Sequence, residues 1–280
     1  MTECSALDST IETLSVDRWR AFTRMSFNRE ARDFAVVRQR ARIVAILTST
    51  LLATTDRPVR HFRIIVHPDE RRRGIGTLLL ELVGRQDCGR DVEVQCNCLA
   101  SWGAGREFLR QSSFRVARRY LDMVLRDTPN LSSALPARCV IRPYQGTDLD
   151  VANWLRLDHE GYSDDPDAQR PTAVDLEVRR SQRGFRMWLM ECDGATVGFL
   201  HATEGARTRI HSLVVASGWR GRGFARALMI HAIHALRRDG AIAFTLGVRA
   251  ENATALRLYQ GLGFEVVEET ETWQRAAPGA

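Results

Sequence analysis

Hydrophobic positions along the chain follow two spacings, and both halves present them in the same order. Apolar residues at every second position predict strands, and apolar residues every three or four positions predict helices. In the second half the predicted elements are a strand at 140–143, a helix at 149–159, strands at 186–192, 196–202 and 209–215, a helix at 224–238, a strand at 242–248, a helix at 253–260 and closing strands over 264–273. Asp193-Gly194 is a predicted two-residue hairpin turn.

The first half repeats this order. Its predicted elements are a strand at 11–14, a helical stretch from Val16, strands at 33–39, 42–52 and 61–66, a helix at 77–83, a strand at 92–98, a helix at 105–110 and a strand at 114–125. Equivalent positions lie about 150 residues apart, which is too long for a solenoid and typical of duplicated domains. The stretch 128–136 is rich in proline and serine and has no periodicity. We therefore predict an N-terminal domain at 1–128, a linker at 129–138 and a C-terminal domain at 139–280.

Composition places the chain among globular proteins. Of its 280 residues 44% are hydrophobic and 26% are charged. No apolar run approaches the roughly 20 residues of a membrane span, and the N-terminus has no signal-peptide pattern. We therefore expect a cytoplasmic protein with no membrane partner.

The net charge of +6 raises the question of nucleic-acid binding. All 40 basic residues are arginine, and they are spread among 34 acidic residues. No nucleic-acid-binding module is recognisable, so we expect no nucleic-acid partner. An anionic small-molecule ligand explains the charge balance as well.

The six cysteines lack the spacing of a zinc site. Cys96-Asn97-Cys98 has no second Cys or His pair at a suitable distance. We therefore expect no metal, and we expect free thiols throughout, as is usual for a cytosolic protein.

Two glycine-containing loops carry the candidate chemistry. Both read Arg-x-x-Gly-x-(Gly/Ala), follow an apolar strand-like run and open a helix-like run; they are Arg71-Arg72-Arg73-Gly74-Ile75-Gly76 and Arg220-Gly221-Arg222-Gly223-Phe224-Ala225. Free backbone N–H groups at the start of a helix favour phosphate binding. A P-loop requires a lysine after its last glycine, and the chain contains no lysine, so a P-loop ATPase or kinase is excluded.

Both halves resemble the GCN5-related N-acetyltransferase (GNAT) superfamily over most of their length. The resemblance rests on Leu213-Val214-Val215 with the loop that follows, and on Asn252, Tyr259 and Gly261-Leu262-Gly263-Phe264 further along. In that family the amides of the loop hold the coenzyme A pyrophosphate. The strand before the loop splays from its neighbour and pairs with the pantetheine arm and the thioester.

The resemblance implies an α/β (α+β) fold of two tandem GNAT domains. Each would have a mixed, mostly antiparallel sheet with a central splayed strand pair and flanking helices. It implies an N-acetyltransferase that uses acetyl-CoA, or another acyl-CoA, and acts on a small-molecule amine. The implied coenzyme-binding residues are Leu213, Val214, Val215, Arg220, Gly221, Arg222, Gly223, Phe224, Ala225 and Asn252, with Ile64, Ile65, Val66, Arg71, Arg72, Arg73, Gly74, Ile75 and Gly76 in the first half.

The implied catalytic residues are Tyr259 and His211. Tyr259 matches the tyrosine that protonates the departing thiolate in the family, and His211 matches a strand position that often holds a base. An imidazole can accept a proton near pH 7, but His211 could equally only shape the acceptor pocket. Glu204 and Glu160 are the reserve bases. Asn252 either binds coenzyme or water, or caps the next helix.

The first half lacks these groups. Counting back from the first loop and from Phe114 places Phe62, Leu109 and Trp102 where the second half has His211, Tyr259 and Asn252. We therefore predict that the first half keeps the fold, at most binds coenzyme, and has no turnover.

Other functions remain open at this point. The same scaffold could use a longer acyl-CoA or a carrier-protein donor, could act on a thiol or hydroxyl, or could bind acyl-CoA without catalysis. The acidic stretch 158–165 would suit a cationic amine, but it could also be a solvated loop. We expect a monomer or a homodimer.

Overall fold

The structure of the protein is a computed structural model. It describes residues 33–52, 58–87, 91–127, 132, 135, 138–163, 165, 168 and 170–275. The predicted strand at 11–14 and the helical stretch from Val16 lie outside the described residues, as do Cys4, Cys88 and most of the predicted linker. Tertiary contacts divide the chain into two compact units, 1–118 with 270–280 and 119–269.

The described residues of unit 1 form a five-stranded sheet with two helices. Its elements are β1 (Phe34–Gln39), β2 (Arg42–Leu52), β3 (Val59–Val66), α1 (Ile75–Gln86), β4 (Glu93–Leu99), α2 (Gly103–Gln111) and the last part of β11 (Glu265–Arg275). The strand order is β1-β2-β3-β4-β11. All neighbours are antiparallel except β3 and β4.

Unit 2 is a six-stranded sheet with four helices among its described residues. Its elements are the later part of β5 (Arg115–Leu125), β6 (Cys139–Pro143), α3 (Asp148–Gly161), α4 (Ala173–Arg180), β7 (Phe185–Cys192), β8 (Ala195–Thr203), β9 (Arg207–Val215), α5 (Phe224–Arg238), β10 (Ala243–Arg249) and α6 (Ala253–Gln260). The strand order is β5-β10-β9-β8-β7-β6, with β9 and β10 as the parallel pair.

The compact units do not follow the predicted halves at their last strands. Strand β5 belongs by sequence to the first half, yet it pairs with β10 of unit 2, and Met123 and Leu125 are buried in the core of that unit. In the same way Thr270–Arg275 of β11 pair with β4, and Trp273 is buried in unit 1. Burial of these apolar side chains determines the unit to which each strand end belongs.

Local capping signals explain the helix starts in unit 2. Thr147 caps α3 by accepting a hydrogen bond from the N–H of Asp150. Helix α4, which the hydrophobic pattern did not reveal, begins with a reciprocal capping box between Thr172 and Asp175. This short helix has only eight residues, so the cap and the packing of Leu176 define it more than any periodicity does.

The expectation of free thiols throughout was wrong for two cysteines. Antiparallel pairing of β6 with β7 places Cys139 directly opposite Cys192, and the two form a disulfide with a Cα–Cα distance of 4.2 Å. The two residues are 53 positions apart, so only the strand register brings them together. Cys96 and Cys98 are free and buried, as expected.

Candidate active site

The loop before α5 forms an open cradle of backbone N–H groups. Gly221 and Gly223 have φ values of 76° and 82°, and Gly223 caps the helix in the left-handed conformation. Among the described residues no hydrogen-bond partner is recorded for the six consecutive N–H groups of 221–226. Arg220 turns inward and donates from Nε to the Val215 carbonyl at 3.0 Å, which fixes the start of the loop. Such a cradle can hold an anion.

Strand β9 separates from β10 just before this loop. The two strands pair only at three positions, Arg207–Arg209 with Ala243–Thr245. From Ile210 to Val215, β9 keeps its pairing with β8 but has no ladder to β10. The backbone edge that faces the gap can therefore bind an extended ligand and polarise a carbonyl group.

His211 lies in a β-bulge on the splayed strand. Ala202 of β8 faces Ile210 and His201 faces Ser212, so His211 is the extra residue of the bulge. A bulge changes the direction of a side chain and is common beside active sites. The Nε2 atom of His211 lies 2.8 Å from Thr203 Oγ1, and its ring stacks on His201 with centroids 4.8 Å apart.

Tyr259 lies in the last turn of α6. Its half-buried ring contacts Phe264 at a centroid distance of 5.9 Å. Burial, followed by the nearby Tyr162, raises the pKa of the Tyr259 phenol above its usual value. The phenol is therefore protonated at neutral pH and can donate a proton or hydrogen bond.

Asn252 has the capping role that the sequence left open. Its Oδ1 accepts a hydrogen bond from the N–H of Ala255 at 3.0 Å at the start of α6. The helix cap fixes the position of the turn that leads to Tyr259.

The end of α3 packs directly against the splayed strand. A Cβ atom added to Gly161 would lie 2.6 Å from Val214 Cγ1, so only glycine permits this approach. One residue later, the Tyr162 side chain hydrogen-bonds the Ser212 side chain. These contacts place the 158–162 part of the predicted acidic stretch beside β9, whereas Asp165 contacts Arg249 of β10 at 3.4 Å.

The two reserve bases are committed elsewhere. Glu160 Oε1 accepts a hydrogen bond from the N–H of Ser217 at 2.6 Å, and this bond lowers the pKa of the carboxyl. A carboxylate held in its ionised form is a weak proton acceptor. Glu204 lies next to the β8–β9 turn and pairs with Arg186 at 3.6 Å.

The loop of unit 1 has the same backbone course. Arg72 and Gly74 have φ values of 64° and 80°, and Arg71 Nε donates to the Val66 carbonyl at 3.2 Å. No partner is recorded within the described chain for the N–H groups of 72–77. Strands β3 and β4 also separate after three pairs, at 59–61 and 93–95.

The side chains around the first loop differ from those around the second. Leu109 takes the place of Tyr259. The N–H of Phe114 donates to the Leu109 carbonyl at 3.0 Å, just as the N–H of Phe264 donates to the Tyr259 carbonyl at 3.0 Å. Trp102 takes the place of Asn252 at the helix start, and the Arg71 guanidinium lies 5.6 Å from its ring centroid.

Counting along the sequence matched Phe62 to His211, but the strand registers match Phe62 to Ile210 instead. Strands β2 and β3 pair without a bulge, and Phe62 faces Ser49 as Ile210 faces Ala202. Phe62 and Ile210 are both buried. Unit 1 therefore lacks the extra residue altogether, since a β-bulge adds one position that counting along the sequence cannot detect.

Several residues of the site had no signal in the sequence. Ser212 and His201 are ordinary strand positions until the fold places them beside Tyr162 and His211. The Arg209 guanidinium lies beside Gly247 of β10 and forms a salt bridge with Asp122 Oδ1 at 3.5 Å. Asp122 is 87 positions away from Arg209, so no local pattern could have paired them.

Other site types are not indicated among the described residues. No group of three or more His, Cys, Asp or Glu side chains is arranged to hold a metal ion. No described helix is long and apolar enough to cross a membrane.

The splayed parallel pair and the backbone N–H cradle both lie within the part of unit 2 that matches a known protein family. Residues 149–264 match the family model described as the acetyltransferase (GNAT) family. The mycothiol acetyltransferase of Frankia casuarinae is 30% identical over 244 residues, which cover 79% of this chain and 70% of that protein. The mycothiol acetyltransferase of a Parafrankia species is 28% identical over 249 residues, with coverages of 79% and 77%.

Solved structures share the fold. A tandem GNAT protein from the clavulanic acid biosynthesis pathway has a TM-score of 0.76 at 17% identity, covering 100% of this chain and 94% of its own. A GCN5-related N-acetyltransferase from Sphaerobacter thermophilus has a TM-score of 0.74 at 22% identity, with coverages of 100% and 91%. The chain belongs to the GNAT family and is a GNAT-type N-acetyltransferase with tandem domains.

Proposed function

We propose that unit 2 transfers the acetyl group of acetyl-CoA to a primary amine of a small molecule by direct attack. The observation that carries this proposal is the combination, in unit 2, of the splayed edge of β9 with the phenol of Tyr259. Unit 1 has the splayed edge but has Leu109 in place of the tyrosine.

The N–H cradle suits the pyrophosphate of the coenzyme. The six N–H groups of 221–226 would bind its oxygens, and the edge of Leu213–Val215 that faces the gap would pair with the pantetheine arm. Arg222 stacks on Trp219 at 5.2 Å beside this loop and adds positive charge. Acetyl-CoA is the donor that GNAT acetyltransferases use.

The transfer needs a neutral amine, a polarised carbonyl and a protonated leaving group. The amine nitrogen attacks the thioester carbon while a backbone N–H of β9 stabilises the oxygen anion. The C–S bond then breaks, and the thiolate takes the phenolic proton of Tyr259. In this scheme the surplus amine proton passes to His211, directly or through water, and bulk water later restores both groups.

The names of the relatives suggest the first acceptor to test. They are called mycothiol acetyltransferases, so we propose an acceptor of that class for unit 2. For unit 1 we propose coenzyme binding at most, without turnover.

Substitution of Tyr259 by Phe tests the acid assignment. We expect kcat to fall by about 10²- to 10⁴-fold, because general acid catalysis contributes that much, while the Kd for acetyl-CoA stays unchanged. Thiol release gives the rate and calorimetry gives the Kd. Tyr144→Phe removes a phenol from the far edge of the same unit, beside Phe185, and serves as the matched control. Unchanged turnover in Tyr259→Phe would refute the assignment.

A further inference from the structure

Asp158 is a buried carboxyl group without a recorded partner among the described residues. Its side chain lies in the last turns of α3, and the residue is only 5% exposed. Burial raises its pKa to about 6, although the positive charges of Arg179 and His159 act in the opposite direction. An unpaired buried carboxylate is costly, so its presence calls for an explanation.

The other five buried carboxyl residues in the described part of the chain all have a hydrogen-bond or salt-bridge partner. Asp150 binds Arg142 and the N–H of Gln145, and Asp175 binds the N–H of Thr172. The remaining three are equally paired: Asp33 with Arg60, Glu93 with Gln95, and Glu271 with Arg106. Asp158 therefore differs from the other buried carboxyl groups of the described chain.

Asp158 lies near the end of α3 that packs against the splayed strand. Tyr162, one helical turn further, hydrogen-bonds Ser212 of the splayed strand. Asp158 is close enough to raise the pKa of Tyr162, and Tyr162 is close enough to raise that of Tyr259. The intervening Gly161 contacts Val214. The carboxyl group thus belongs to the cluster of side chains that connects α3, β9 and α6.

A second unpaired polar atom lies in the same neighbourhood. His201 is 5% exposed, and its buried Nδ1 atom has no hydrogen-bond partner among the residues that the structure describes. The ring stacks on His211 and contacts Phe185 at a centroid distance of 5.0 Å. The positive charge of Arg179 lowers the pKa of both His201 and Asp158, so the two groups lie in the same electrostatic environment. Two such groups together indicate a polar ligand that the protein itself does not supply.

We propose that Asp158 binds the ammonium group of the acceptor, which makes the substrate class a cationic aliphatic primary amine. An ammonium group offers three N–H donors and a positive charge, which an uncompensated carboxylate lacks. Asp158 is a binding residue in this scheme: the bound ammonium group first loses one proton through His211 to bulk water, and the surplus proton released after attack follows the same route. The inference rests on the proposed function of unit 2.

Acceptor kinetics test the binding role. The probes are a panel of aliphatic primary amines, which are cationic at pH 7.5, and aniline, which is neutral at that pH. For Asp158→Asn we expect KM for the best aliphatic amine to rise at least about tenfold, with kcat within about threefold and the rate with aniline unchanged. The control Asp148→Asn removes the same charge from the exposed start of the same helix and should leave KM unchanged.

Two kinetic results would overturn the proposal. An unchanged KM in Asp158→Asn would show that the carboxyl group does not contact the acceptor. A fall in kcat at constant KM would assign the residue to proton transfer instead of binding. If wild type acetylates no amine in the panel and does not bind acetyl-CoA, the proposed function fails, and the second measurement below still decides the state of Asp158.

Stability against pH provides that second measurement. The folded-state pKa of about 6 lies above the ordinary aspartate value of 3.8, so ionisation of Asp158 destabilises the fold as pH rises through this window. The urea midpoint of Asp158→Asn should therefore exceed that of wild type at pH 8 and approach it below pH 4. A lower midpoint at pH 8 would reveal a stabilising partner for the carboxylate and would overturn the proposal.

Discussion

The two glycine loops have nearly the same backbone and different surroundings. Both start with an arginine that donates to the preceding strand, both place a left-handed glycine at the helix start, and both strands splay after three pairs. Only the second loop has a tyrosine at the helix end and a bulged histidine on the strand. An anion cradle is therefore a local backbone structure, whereas the proposed reaction requires side chains from separate elements.

The units also differ in how their outer strands are held. In unit 2 the disulfide Cys139–Cys192 joins β6 to β7, whereas Cys96 and Cys98 of unit 1 are free thiols in a buried strand. Burial raises the pKa of Cys98 to about 11, so this thiol is inert at neutral pH.

Loss of the disulfide should have the largest effect on stability. Cys139→Ser opens a loop of 53 positions and should lower the free energy of unfolding by about 2–4 kcal/mol. Urea denaturation with and without reductant measures this difference. Reductant should lower the midpoint of wild type towards that of the variant and leave the variant unchanged, and a wild type that does not respond to reductant would contradict the prediction.

Parallel substitutions in the two loops test whether the sites are functionally unequal. Gly223→Ala and Gly74→Ala place a side chain at φ 82° and 80°, each at a strain of about 1–2 kcal/mol. An added Cβ meets no protein atom within 4 Å at either position, so the two changes are well matched. We expect kcat/KM to fall about tenfold in the first variant and to stay within about twofold in the second.

Binding stoichiometry by native mass spectrometry complements those rates. Two acetyl-CoA molecules per wild-type chain, with one lost in Gly223→Ala, would show that the first loop binds coenzyme. An equal loss of turnover in both variants would contradict the proposal that unit 2 catalyses the reaction and unit 1 does not.

The smallest effect is expected at the one position where the loops differ in backbone strain. Arg72 adopts φ 64°, while Gly221 has the equivalent φ of 76° without a side chain. Arg72→Gly should raise the free energy of unfolding by about 1 kcal/mol, because glycine adopts this conformation without steric cost. The reverse exchange, Gly221→Arg, should lower it by a similar amount. Thermal denaturation of both variants measures the effect, and equal midpoints would show that the loops tolerate either residue.

Much of the fold follows from local patterns. The helices at 224–238 and 253–260 begin and end as the apolar spacing predicts, because each has a glycine or asparagine at its start. Helix α4 was missed because eight residues contain too few turns for a period to appear. The candidate coenzyme loop is equally local, so the sequence alone could locate it.

Local sequence patterns are enough to specify three contiguous features: the duplicated order of elements, the two N–H cradles and the tyrosine present in one half. The tertiary structure alone decided which distant residues meet. It placed β5 beside β10, Cys139 opposite Cys192 and Asp158 without a partner near Tyr162. Strand register and burial depend on long-range packing. A register shift of one residue changes which residues face each other, and local periodicity does not reveal that shift.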